Sequence, residues 1–253
     1  MPGFTAELTG VAFSRDGRHF AAASMDGTVK VCDAHTGQEI CTLDGKAGPV
    51  HGVSFSPVAN SIASAHDDGT VKVWDIERGG SECLSFQAHS DAVFGVAYSP
   101  DGRLLASAGG TGQDAIAVWE VATRKAIHRL NPSRGIKWSV AFSPDGRCLT
   151  CVTGSGCPLV DVATGRETHP IQSVDIAYRA AFSPDGRLLA TACEGQTVRL
   201  WDVATGQELT SLRVSGGELW SVAFSPDGRY LASCSGYNGK GTIQIWNRKQ
   251  WEK

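Results

Sequence analysis

The chain has 253 residues, 42% of them apolar and 19% charged, with a formal net charge of −3. That balance describes a folded chain rather than a disordered one. Lys and Arg fall singly, without the basic run that a nucleic-acid or anionic-membrane surface calls for. No apolar run approaches the roughly 18 residues of a spanning helix. The opening MPGFTAELTG has neither part of a secretory leader, so a cytoplasmic protein is expected.

Taken in chain order, the predicted elements repeat. Phe13-Ser14 begins a phrase that returns at Phe55-Ser56, Tyr98-Ser99, Phe142-Ser143, Phe182-Ser183 and Phe224-Ser225, with gaps of 42, 43, 44, 40 and 42 residues. A second anchor follows in phase: Cys32-Asp33, Trp74-Asp75, Trp119-Glu120, Val160-Asp161, Trp201-Asp202 and Trp246-Asn247. A fixed period of this length marks a repeat architecture. The fifth copy shows the plan. YRAAFS (178–183) is a first strand, Pro184-Asp185-Gly186 a turn, and RLLATA (187–192) a second strand. TVRLWD (197–202) is a third and ELTSL (208–212) a fourth. Pro fixes φ, Asp bonds the backbone and Gly accepts positive φ. No segment holds a 3.6-residue apolar period, so almost no helix is expected.

One four-stranded unit covers neither of its sheet faces, whereas radial stacking covers both, as in a propeller. With this period and a Trp-Asp closing the third strand, residues 8–250 resemble the WD40 family. The regular AFSPDGR and DVATG phrases resemble its bacterial-type repeats. The resemblance implies an all-β fold: a six-bladed propeller of four-stranded antiparallel blades, filling residues 1–253 as a single domain. It also implies a hydrogen-bonded set tying each blade: His before the first strand, Ser or Thr in the second, Asp before the third, and the Trp. His89, Ser107 and Trp119 match in blade three. Ser64, Asp68 and Trp74 match in blade two, where Lys46 stands at the His place. Thr191 and Trp201 match in blade five, with Gly195 at the Asp place. Blade one keeps Asp26 but has Cys32 for Trp, and blade four has Val160.

The chain reaches its last third strand at IQIWNRKQWEK, so the sixth blade is expected to lack its outer strand. A three-stranded blade, a strand from another chain and a chain cut from a longer protein all fit. An unpaired edge invites partners, so edge-mediated assembly stands as an alternative to a monomer.

Signs of chemistry are weak. No nucleophile elbow, Walker loop or dinucleotide fingerprint occurs, and TGSGC (153–157) lies between strands with no helix to receive a phosphate. Cys148 and Cys151 point to opposite faces of a strand and lack the further ligands a zinc site needs. The eight cysteines are read as reduced thiols. His66-Asp67-Asp68 reads as a solvated turn, and His128 and His169 are one repeat position seen twice. No catalytic residue, metal or cofactor is assigned; a propeller-type hydrolase or lactonase is the rival reading.

The first strands offer a binding register. After the usual Val or Leu stand Thr9, His51, Phe94, Trp138, Tyr178 and Trp220. Two places earlier stand Glu7, Pro49, Ala92, Ile136, Ile176 and Glu218, and a third set holds Met25, Asp67 and Glu194. In the WD40 family such positions surround the channel mouth and contact partner peptides. The resemblance therefore implies a non-enzymatic interaction scaffold or docking module, standing alone or as part of a larger signalling protein. Its partner-binding residues would be Trp138, Trp220, Tyr178, Phe94, His51, Glu218, Glu194 and Asp67, and its partner a protein or peptide with basic and apolar anchors. Alternation leaves a second placement open, because residues 220, 222 and 224 share a face and Trp220 could pack between blades with Val222. A bulge at the strand's start would favour exposure.

Overall fold

The structure, a computed structural model, describes residues 5–110, 114–131, 136–153, 156–172, 175–237 and 240–251. It carries six antiparallel sheets, each wound in chain order. Blade one is β1 (Leu8–Phe13), β2 (His19–Ser24), β3 (Thr28–Asp33) and β4 (Glu39–Asp44). Blade two is β5 (Val50–Phe55), β6 (Ser61–His66), β7 (Thr70–Asp75) and β8 (Ser81–Gln87). Blade three is β9 (Val93–Tyr98), β10 (Leu104–Gly109), β11 (Ile116–Glu120) and β12 (Lys125–Leu130). Blade four is β13 (Ser139–Phe142), β14 (Cys148–Val152), β15 (Gly156–Asp161) and β16 (Glu167–Gln172). Blade five is β17 (Ala177–Phe182), β18 (Leu188–Cys193), β19 (Thr197–Asp202) and β20 (Glu208–Arg213). Among the described residues blade six has β21 (Glu218–Phe224), β22 (Tyr230–Tyr237) and β23 (Lys240–Asn247). A single 3-10 turn, Arg248–Gln250, is the helical content among the described residues. The fold class is thus the expected six-bladed β-propeller with a three-stranded last blade. By contact the chain divides into two compact units, Met1–Asn131 with blades one to three and Pro132–Lys253 with blades four to six.

The repeated phrase builds a turn between first and second strands. In blade five the Ser183 hydroxyl donates to Asp185 Oδ1 at 2.6 Å and accepts the Leu188 N–H at 2.9 Å. Asp185 Oδ1 also accepts the Arg187 N–H at 3.1 Å, and Gly186 sits at φ +72°. Ser14, Ser99, Ser143 and Ser225 repeat the Ser–Asp bond at 2.6 Å. Blade two, with Pro-Val-Ala-Asn in the phrase, uses Ser56 Oγ to accept the Ala59 N–H instead. The Asp of the Trp-Asp anchor holds the next turn: Asp202 Oδ1 accepts both the N–H and the hydroxyl of Thr205 at 2.8 Å. Asp33 and Asp161 do the same for Thr36 and Thr164.

Each unit has its own cores, made where neighbouring blades face one another. In the first unit Val29, Val31 and Leu43 pack with Val50, Phe55, Ile62 and Trp74, and Val71 packs with Val93, Leu105 and Trp119. In the second, Leu159 and Ile171 pack with Leu189 and Trp201. Val198 and Leu200 pack there with Leu219, Val222 and Trp246. Burying each such side chain contributes about 1.5–3 kcal/mol. Alanine fills the second strands, which are covered on both faces, as at Ala21, Ala23, Ala63, Ala65, Ala190 and Ala192, all fully buried. A Cβ on Gly52 would lie 3.3 Å from the Phe94 carbonyl oxygen, so glycine there lets two first strands approach closely.

The tying set follows a local rule. The Trp119 and Trp74 indole N–H groups donate to Ser107 at 3.0 Å and Ser64 at 2.7 Å, and Trp201 donates to Thr191 at 2.9 Å. His89 Nε2 reaches Ser107 Oγ at 2.8 Å, and its Nδ1 reaches the Asp114 carbonyl at 2.7 Å. Where the Trp is gone, the hydroxyl is gone with it. Cys32 is matched by Ala22 in blade one and Val160 by Cys151 in blade four, so at these two sites neither the indole nor the hydroxyl is left without the other. Blade six keeps both Trp246 and Ser233 in this register, but the buried Ser233 hydroxyl has no hydrogen-bond partner. Asp26 and Asp68 hold their own turns instead, accepting from the N–H and hydroxyl of Thr28 and of Thr70.

The solvated-turn reading of His66 is corrected. It ends β6 and is only 1% exposed, with Nε2 2.8 Å from Ser64 Oγ. Residues two apart on a strand share a face, so His66 reaches Ser64 from within the strand. Blade three supplies the same group from the loop: the matching residue there is Gly109, and a Cβ on it would lie 2.6 Å from the His89 ring. Blade two thus replaces the histidine whose usual place is held by Lys46.

Candidate functional site: the aromatic register at the first strands

Five of the six first strands enter their blades with an irregularity at the register residue. The pairing skips Thr9 between Leu8 and Gly10, His51 between Val50 and Gly52, and Phe94 between Val93 and Gly95. It skips Tyr178 between Ala177 and Arg179, and Trp220 between Leu219 and Ser221. In blade four Trp138 lies just outside β13, its N–H donating to the Val152 carbonyl at 3.1 Å. A bulged residue has no partner across the ladder and its side chain is re-aimed. Leu219 and Val222 are both buried, one at an odd and one at an even position, because the bulge resets the alternation. Trp220 is 51% exposed, so the inter-blade placement with Val222 does not hold.

The other two sets arrive at the same end of their blades. Met25, Asp67 and Glu194 donate backbone N–H bonds to the carbonyls of Glu7, Pro49 and Ile176, at 2.9, 2.9 and 2.7 Å. These links place each loop residue two positions before the aromatic register. Glu7, Met25, Asp67, Glu194 and Glu218 are exposed.

In the first unit His51 and Phe94 are partly buried with ring centroids 5.0 Å apart, and His51 Nε2 lies 2.9 Å from Asp67 Oδ1. Thr9 is turned to structure: its hydroxyl donates to the Val50 carbonyl. In the second unit Trp138, Tyr178 and Trp220 form a continuous run, with centroids 6.4 Å and then 5.7 Å apart. Burial, followed by the Glu194 and Glu218 carboxylates, pushes the Tyr178 hydroxyl above its ordinary range. Lys137, beside Trp138, is fully buried.

The buried thiols are subdued. Burial pushes the Cys151 thiol up to about 12 and raises Cys157 well above its ordinary range; such thiols are poor nucleophiles. Among the described residues no group of three His, Cys, Asp or Glu side chains is arranged to hold a metal ion. Among the described residues no helix is long and apolar enough to cross a membrane.

Sequence comparisons agree with this geometry. The family model described as "IFT122 first beta-propeller" matches residues 7–250. The chain is also 44% identical over 121 residues to "WD repeat-containing protein 1" of Gallus gallus. That match covers 48% of this chain and 13% of the relative, so the chain spans a small part of the curated protein it matches.

Proposed function

This chain belongs to the IFT122 first beta-propeller family, of WD40 type, and from that premise we propose that it is a non-enzymatic interaction module. It binds a protein or peptide partner at the end of the blades where the first strands begin. The carrying observation is Trp220, a large aromatic held half exposed by a bulge in an otherwise regular strand. Aromatics with few rotamers to lose suit binding hot spots. In the second unit Trp138 and Tyr178 are the other anchors and Glu218 and Glu194 the flanking carboxylates; in the first unit Phe94 and His51 are anchors beside Asp67. In this reading residues 1–253 act as one domain of a cytoplasmic, monomeric protein without nucleic-acid or membrane contacts. The even AFSPDGR and DVATG phrases support repeats of the bacterial type.

The test is a double variant, Trp138→Ala with Trp220→Ala. Its melting temperature should fall by several degrees, chiefly through the partly buried Trp138, since the half-exposed Trp220 contributes little to the core. Capture of partners by cross-linking in source cells should fall at least tenfold. Loss of the fold together with unchanged capture by a milder Trp→Phe pair would defeat the proposal.

A second reading has its own observation. Among the described residues β23 pairs only with β22, and its Ile243 and Ile245 are 74% and 62% exposed. An open edge can add a strand from a second chain. A mass that rises with protein concentration, and is returned to one chain by Ile243→Lys, is the outcome this reading expects.

A further inference from the structure

We propose that the Trp138–Tyr178–Trp220 run is a shelf for an arginine of an extended basic peptide segment. The inference rests on the reading that this end of the blades binds a partner, and it names the chemistry of that partner.

Three observations select a cation. Trp138 and Tyr178 meet edge to face and Tyr178 and Trp220 are tilted at 41°, and Trp220, the most exposed of the three, is half exposed and offers its ring to a ligand. Two exposed carboxylates flank Tyr178: Glu194 is tied through its backbone to residue 176, and Glu218 opens the strand that carries Trp220. Among the described residues neither carboxylate has a Lys, Arg or His within ion-pair distance. Aromatic faces attract cations, and exposed unpaired carboxylates add a directional demand for donors.

That second demand favours arginine. A guanidinium is flat, stacks on indole and phenol rings and carries five N–H donors in a rigid fork. An ammonium is more strongly hydrated and does not stack, and a trimethylated lysine has no N–H for the carboxylates. The ring spacings of 6.4 and 5.7 Å select an extended chain. Side chains two residues apart on a strand lie about 6.6–6.8 Å apart on one side. Arginine at one position and an apolar residue two places on would therefore meet successive rings.

The test uses the whole chain with nitrogen-labelled tryptophan and the peptide Ac-Gly-Arg-Thr-Leu-Gly-NH2. The indole resonances are assigned with Trp138→Phe and Trp220→Phe. The arginine peptide should shift the Trp220 signal, with binding weakening as salt rises. Versions with citrulline, lysine or trimethyl-lysine in place of arginine should bind at least fivefold more weakly. Glu194→Gln with Glu218→Gln should lose at least fivefold for the arginine peptide and nothing for the citrulline one. Equal binding of the arginine and citrulline peptides, or tighter binding of trimethyl-lysine, would overturn the inference. If arginine selectivity is absent while partner capture still depends on Trp138 and Trp220, only this inference falls. If capture is independent of both, the docking reading falls with it.

Discussion

His66 and Ser107 show how single side chains carry a blade. Burial drives the His66 imidazole down to about 4 from its ordinary 6.5. The unfolded chain therefore takes the proton first as pH falls. The stability that His66 contributes is complete above about pH 6.5 and is lost progressively toward pH 4, by up to about 3 kcal/mol. His89 is lowered by burial in the same sense. In His66→Gln the drop in urea midpoint between pH 7 and pH 5 should shrink; an unchanged drop would remove His66 from the acid response. Ser107 is the shared partner of Trp119 Nε1 and His89 Nε2. Ser107→Ala should cost about 2–4 kcal/mol by leaving two buried groups unpaired. Cys151→Ala, at the matching register where Val160 replaces Trp, should cost about 1 kcal/mol, and equal losses at both sites would contradict the paired-loss rule. That rule was readable from the sequence, since Ala22 with Cys32 and Cys151 with Val160 stand in plain register. The role of His66 was not, because Asp67-Asp68 after it makes the tripeptide look like a polar turn.

At the scale of elements, the Ser-Pro-Asp-Gly phrase works as a closed circuit. Asp16, Asp101, Asp145, Asp185 and Asp227 all have carboxyls held below their ordinary range, first by the serine hydroxyl. Their contribution is present above the ordinary carboxylate pKa and is lost as pH falls through it. Ser183→Ala, at a site 4% exposed, should destabilise by about 1–2 kcal/mol in chemical unfolding and leave partner binding intact. Ion pairs also repeat across third and fourth strands: Lys30–Glu39, Lys72–Glu82 and Arg199–Glu208, at 2.6 to 2.7 Å. Strand positions were legible almost to the residue, since the fifth copy was expected at 178–183 and 197–202 and forms Ala177–Phe182 and Thr197–Asp202. The placement of Trp220 was not legible. Alternation treats every residue as paired, and a bulge changes the parity without leaving a composition signal.

For the whole molecule, six copies of one phrase gave the blade count, the strand order and the three-stranded last sheet. The proposal that residues 1–253 form one domain carries a thermal prediction. Calorimetry should show one transition with calorimetric and van't Hoff enthalpies about equal. A ratio near two would instead mean that Met1–Asn131 and Pro132–Lys253 melt separately. The tryptophan and carboxylate positions fell to the sequence through register alone; their contacts needed coordinates, because rings in contact come from strands about 40 residues apart.

The bulges have an evolutionary consequence. A bulged residue whose side chain stays exposed, as at Trp220, makes no side-chain pair across the sheet, so its identity is weakly coupled to folding. Thr, His, Phe, Trp, Tyr and Trp already occupy that one register within a single chain. If this register binds the partner as proposed, selection can rewrite what is recognised, one blade at a time, while the surrounding Ser-Val-Ala-Phe frame is left alone. A library randomised at Thr9, His51, Phe94, Trp138, Tyr178 and Trp220 should remain largely soluble and folded while its members diverge in what they retain on a column.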